Sequence, residues 1–216
     1  MSPQPLVAAA DGSAIGNPGP AGWAWYVDES CWAAGGWPES TNNRGELTAL
    51  LELLRATAHT GEDLLVQADS QYVINSVTKW MKGWKRRGWR KADGKAVMNG
   101  DLMKALDEAL VGRTVRFEWV KGHAGHAANE RADELARAAA TAYQRGTAVP
   151  SGPGWTRGGA AAAAPGATAT STSGASAATT LPRASASSDT AAVVPGTTAA
   201  RRAALRAQQA EPGTLF

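Results

Sequence analysis

The chain has a single cysteine, Cys31, in 216 residues. This excludes an internal disulfide framework and suits a reducing compartment. Nowhere does the sequence approach the ~20 consecutive apolar residues that a membrane-spanning helix needs. The opening MSPQPLVAAADG has no basic n-region, and its apolar run is too short for a secretory leader. The expectation is a cytoplasmic protein, acting as a monomer, with no membrane partner. Large side chains are scarce in one long stretch. Of the 54 residues from 147 to 200, 46 are Ala, Ser, Thr, Gly or Pro; Trp155 is the sole aromatic, and there is no Lys or Glu. Such a segment cannot bury enough apolar surface to offset the entropy of ordering it. Residues 147–216 are therefore expected to be a disordered tail, with a short, marginal helix near 201–209.

Residues 1–146 hold eight of the nine tryptophans and nearly all the Leu and Ile. That suffices for one hydrophobic core and falls short of two. The same segment carries 17 basic and 17 acidic residues, so the formal net charge of +3 comes from the tail and does not by itself indicate nucleic acid. Local charge is more informative. From 79 to 95 there are eight basic residues and one acidic, Asp93.

Hydrophobic patterning predicts strands at 6–10, 23–27, 31–37, 64–68 and 114–120. It predicts helices at 41–59, 70–79, 101–110 and 129–144. In the first of these, Leu47, Leu50, Leu51 and Leu54 recur at i, i+3, i+4 and i+7. Thr41, Asn42 or Asn43 can cap that helix and Gly61 can end it. Strands first, then strands alternating with helices, predict an α/β mixed sheet covered by helices.

Taken singly, the most interesting acidic residues have plain explanations. Asp11 can shape the turn DGSAIGNPGP, and Glu46 suits the positive end of a helix. Asp69 stands at a helix cap position, and Asp133 precedes Arg137 by one turn. Topology alters the weighting. If the first and fourth strands are parallel neighbours, Asp11 and Asp69 leave the sheet at the same carboxyl edge, where open α/β sheets hold ligands. Glu46 and Asp133 lie on helices that can reach that edge. Four carboxylates converging there repel one another unless cations neutralise them, and oxygen ligands select Mg²⁺ or Mn²⁺ over zinc.

The segments DGSAIGNPGPAGWAW, TNNRGELTALLELL, ADSQYVINSV, KGWKRRGWRKADGKAVMNGDL and WVKGHAGHAANERADELA resemble those of bacterial ribonuclease HI. The resemblance runs in the family's order and spacing over about residues 6–140. It implies a ribonuclease H-like fold, a five-stranded mixed sheet with helices on both faces. It also implies an endonuclease that hydrolyses the RNA strand of RNA–DNA hybrids, largely independently of sequence. The family's four metal-binding carboxylates fall on Asp11, Glu46, Asp69 and Asp133, and its catalytic histidine on His123. Two Mg²⁺ ions per site are expected, with Mn²⁺ as a substitute. His123 lies between Gly122 and Gly125 in a loop, where an imidazole can move protons or help product leave. His126 is expected to be structural, and His59 to complement a helix C-terminus.

Trp80, Trp84 and Trp89 interleave with Lys85, Arg86, Arg87 and Arg90 in the basic segment. The resemblance makes this a protrusion that grips the DNA strand, acting mostly through counterion release. Asn17, Asn42, Asn43 and Gln71 match family positions that touch substrate, and Thr41 can hold a DNA phosphate at a helix N-terminus. The terminal Leu215-Phe216 resembles short peptides that dock on replication proteins such as sliding clamps. Two alternatives fit less well. A binding module without catalysis has no need of the full carboxylate set, and a nuclease for DNA junctions or duplexes none of the basic Trp-rich segment and NPGP turn.

Overall fold

The computed structural model describes residues 4–157. Five strands, β1 (Leu6–Ala14), β2 (Gly19–Asp28), β3 (Cys31–Ser40), β4 (Leu64–Ala68) and β5 (Val115–Trp119), form one sheet in the order β3-β2-β1-β4-β5. The first three make an antiparallel meander, and β4 and β5 add in parallel on the far side of β1. Parallel neighbours require crossovers. Helix α1 (Asn42–Ala56) carries the chain from β3 to β4. A helical run of α2 (Gln71–Asn75), one π-helical turn (Ser76–Trp80), α3 (Met81–Arg86) and then α4 (Gly100–Ala109) carries it to β5. Helix α5 (Ala127–Arg145) closes the fold against β1, β2 and β3. This is the expected five-stranded mixed sheet with helices on both faces.

The two faces are built differently. On the α1 side, Leu47, Leu50, Leu51 and Leu54 are buried with Trp25, Leu64, Val66, Met103 and Leu106. Each such side chain removed from water contributes roughly 1.5–3 kcal/mol. On the α5 side, Ala136 and Ala139 meet Ala24 and Ala34, so small side chains bring the helix close to the sheet. The alternation along β2, Trp25 toward one layer and Ala24 toward the other, follows from the two-residue period of a strand.

Several boundaries differ from those predicted. β1 does not turn at Asp11 but continues to Ala14, because pairing with β2 extends to Ala14↔Ala21. Helix α1 ends at Ala56, before Gly61, where the Thr57 hydroxyl donates to the Leu53 carbonyl at 2.8 Å and the chain passes into turns. The cap of α2 is Ser70 rather than Asp69, which leaves the Asp69 side chain without that duty.

Residues 147–157 overturn the expectation of a tail starting at Thr147. Ala34 N–H donates to the Ser151 carbonyl at 3.1 Å and Gly154 N–H to the Trp32 carbonyl at 3.0 Å, so the segment runs along the edge of β3. Trp155, only 3% exposed, enters the core that holds Trp25 and Cys31 and meets the His59 ring edge-on at 6.1 Å. Arg157 pairs with Asp28. Averaging composition over 54 residues hid this, since one tryptophan buries as much surface as several alanines. The expected helix at 201–209 and the Leu215-Phe216 contact lie outside the described residues. Among the described residues, no helix is long and apolar enough to cross a membrane.

Candidate active site

Asp11 and Asp69 are brought together by strand register. β1 and β4 pair in parallel from Leu6↔Leu64 to Ala9↔Gln67. Two further steps of that register set Asp11 beside Asp69, the residue that follows β4. Glu46 arrives from α1 by close approach of two backbones. A Cβ on Gly12 would stand 2.2 Å from the Glu46 nitrogen, so only glycine lets β1 touch the first turn of α1 there. As a result Asp11, Glu46 and Asp69 each offer a carboxylate oxygen within 4.8 Å of the other two.

Asp11 and Glu46 are buried, at 5% and 6% exposure. The hydrogen bonds they receive come from neutral donors. Gly12 N–H donates to Asp11 Oδ1 at 2.7 Å. The Asn42 amide donates to Glu46 Oε1 at 2.7 Å, and the Ser70 hydroxyl to Glu46 Oε2. Burial, more than anything else, pushes the Glu46 carboxyl up to about 8; Asp69 adds to the rise, and the Ser70 and Asn42 bonds oppose it. Burial likewise holds Asp11 well above the usual carboxylate range, helped by Asp69, Glu46 and Asp133. Asp69 is raised by burial and then by Asp133, with His123 pulling the other way. The hydrogen bonds to the crowded Asp11 and Glu46 bring no positive charge, and an all-oxygen set of this kind fits a hard divalent cation.

The fourth predicted carboxylate stands apart. Asp133 is outside the 4.8 Å group; its carboxylate is turned to Arg137 on the next turn of α5. Its charge still reaches the cluster, as the shifts of Asp11 and Asp69 show. His123 is exposed in the loop between β5 and α5, with a backbone φ of +57°. His126 occupies the cap position of α5 without a side-chain bond to the helix.

Two of the asparagines predicted to touch substrate, Asn17 and Asn42, form a line leading to the cluster. Asn17 Oδ1 accepts the Asn42 backbone N–H at 3.3 Å, and Asn42 in turn holds Glu46. Thr41 caps α1, its hydroxyl accepting the Arg44 N–H at 3.3 Å. Asn43 is half-buried in the first turn of α1, and Gln71 is exposed at the start of α2. In the basic segment, Trp80 packs between Tyr72 and Trp84, with ring centroids 6.3 and 5.7 Å away, while Trp84 and Trp89 rest on the core. Lys85 is paired with Asp107 at 2.6 Å. Arg87 and Arg90 brace the loop through the Arg90 and Gly94 carbonyls, and Arg86 is exposed.

A carboxylate cluster at the carboxyl edge of this mixed sheet, in a chain that also carries a basic aromatic segment, narrows the comparison with known proteins. The profile of the family described as RNase H matches residues 3–141. The chain belongs to the RNase H family. Ribonuclease H of Tropheryma whipplei (strain Twist) is 53% identical over 156 residues, covering 72% of this chain and 97% of the relative. Ribonuclease H of Paracoccus denitrificans (strain Pd 1222) is 49% identical over 141 residues, 62% of this chain and 90% of the relative. LC9-RNase H1, described as a type 1 RNase H with the type 2 active-site motif, superposes with a TM-score of 0.56 at 30% identity, over 74% of this chain and 80% of its own. As a member of this family the chain is a ribonuclease H enzyme.

Within the RNase H site, two residues escaped the sequence reading. Ser70 looks like an ordinary helix cap, and only the fold shows its hydroxyl on Glu46. Gly122 looks like loop punctuation, yet a Cβ there would stand 2.5 Å from Asp69 Oδ2. Their adjacency to Asp69 and His123 is the only signal that sequence offers.

Proposed function

We propose that this RNase H-family chain hydrolyses the RNA strand of RNA–DNA hybrids, largely without regard to sequence, using two divalent ions. The observation that carries the reading is the convergence of Asp11, Glu46 and Asp69. Two bound Mg²⁺ ions, or Mn²⁺ in their place, would supply charge neutralisation and a nucleophile at neutral pH. Asp11 would hold both, since β1 is central and flanked by strands on either side. Asp69 and Glu46 would complete the inner set, and Asp133 would join from the rim by exchanging Arg137 for a cation. His123, exposed and beside Asp69, moves a proton or eases product departure.

The protein's other groups bind and orient. Arg86, Arg87 and Arg90 meet phosphates of the DNA strand, and Trp80 offers an aromatic surface, 39% exposed, on the same helical run. Neutral donors and acceptors on Asn17, Asn43 and Gln71 suit the 2′-hydroxyls that distinguish RNA. Thr41 marks the N-terminus of α1, where a phosphate finds backbone N–H groups. The single buried cysteine, Cys31, suits a cytoplasmic setting.

The test is one assay on labelled RNA–DNA hybrid, RNA duplex and DNA duplex with Mg²⁺, Mn²⁺ or EDTA. The RNA strand of the hybrid is expected to be cut with either ion and left whole in EDTA. Cutting of DNA duplex at a comparable rate, or of hybrid in EDTA, would overturn the reading.

A further inference from the structure

Asp11 and Asp69 are set by the sheet ladder, whereas Glu46 comes from a helix, and no strand register fixes where its carboxylate points. We propose that Ser70 is the positioning residue that directs Glu46 into the cluster; this rests on reading the cluster as a divalent-cation site.

Ser70 is 5% exposed, and its hydroxyl donates to Glu46 Oε2. The hydroxyl oxygen also accepts the Val73 backbone N–H at 3.3 Å. A hydroxyl has one proton, so an oxygen whose lone pair serves Val73 has that proton available for Glu46. Capping α2 thus orients the donor. Behind the carboxylate the wall is apolar: Ala10, Leu50, Val66, Val73 and Phe117 line the space there. None of these side chains can replace the lost donor from that side. Because Ser70 directly follows Asp69, the bond also ties Glu46 on α1 to its neighbouring ligand through a single peptide unit. Asn42 holds the other oxygen, Oε1, so the two donors together define the plane of the carboxylate.

Mn²⁺ titration by calorimetry on the full chain, with hybrid cleavage alongside, tests this. Ser70→Ala is expected to weaken Mn²⁺ binding roughly tenfold or more, the usual loss when a group orienting a ligand is removed. It should lower kcat at sub-saturating ion with KM for hybrid within about twofold. Ser70→Thr keeps the hydroxyl and should restore both. Ser70→Gly separates positioning from helix capping, because glycine caps nearly as well as serine but cannot donate; it should match Ser70→Ala. If Ser70→Ala binds Mn²⁺ like the wild type, or if Ser70→Gly behaves like the wild type, Ser70 does not position Glu46. If the wild-type chain itself binds no Mn²⁺, the cation-site reading fails first and this inference falls with it.

Discussion

Gly122 lies so close to Asp69 that a methyl group on its Cα would stand 2.5 Å from Oδ2. No real side chain tolerates that contact, so a Cβ at 122 forces the Asp69 carboxylate or the loop that carries residue 122 to shift. Gly122→Ala is therefore expected to lower hybrid cleavage at least tenfold. Thermal unfolding in EDTA should change little, because the loop is at the surface. Full activity would mean that Asp69 need not occupy this position.

Asp69 and His123 differ in burial and should differ in consequence. Asp69→Asn keeps the shape but removes a charge from the inner set, and single-turnover cleavage is expected to fall below detection. His123→Ala should slow turnover by about 10²-fold, the low end for loss of a proton-transfer group, and leave cleavage measurable. Equal losses would show that the two roles are ranked wrongly.

Glu46 sets the pH dependence of the ion-free protein. Its carboxyl is pushed from an ordinary 4.5 up to about 8, so the folded state binds that proton more tightly than the unfolded chain does. The associated stability is complete below about 4.5 and is lost as pH rises through about 8. Asp11 and Asp69 shift the same way. Asp28, lowered to about 2 by Ser30 and Arg157, titrates below this window. In EDTA, urea unfolding at pH 5, 7 and 9 should show the wild type losing on the order of a few kcal/mol more than Glu46→Gln. Superimposable profiles would contradict the shift.

The expected salt sensitivity of hybrid binding rests on Arg86, Arg87 and Arg90. Replacing all three by Gln should flatten the slope of log K against log salt for hybrid binding by about two to three, near 0.9 for each phosphate contact. Lys85→Gln should do less, since Asp107 already offsets that charge at 2.6 Å. Filter binding from low to moderate salt measures both. An unchanged slope in the triple variant would remove this segment from the interface.

Trp155 is buried against the core, and its loss should be felt there. Trp155→Ala is expected to cost about 3–5 kcal/mol, the usual range for emptying a tryptophan site. Truncation after Gly146 should cost at least as much. Cleavage at low temperature should survive, because Trp155 packs by the β2–β3 hairpin and His59 at the far end of α1 from Glu46. A truncated chain with unchanged urea midpoint would show that residues 147–157 add nothing to the fold.

How much of this was legible beforehand follows from range. The leucine period of α1, the apolar run of β4 and the basic tryptophan segment are local patterns, and each appears where it was expected. The candidate carboxylates were legible through their motifs, and topology predicted that they gather at one sheet edge; which of them come within 4.8 Å of one another was not legible. For Asp133 the spacing allowed two outcomes, a place at that edge or a pair with Arg137 one turn on, and the side-chain rotamer selects Arg137. The placement of residues 147–157 was missed because a composition average cannot register one tryptophan finding a gap in a distant core.

By itself, then, the sequence determined the periodicities, the mixed-sheet class and the residue types available for chemistry, since these arise from neighbours a few positions apart. Tertiary structure alone decided that Gly12 touches Glu46, that Ser70 holds its oxygen and that Trp155 completes the core. Those contacts join residues separated by tens of positions, and only the packing of whole elements, with the exclusion of water between them, brings such groups within bonding distance.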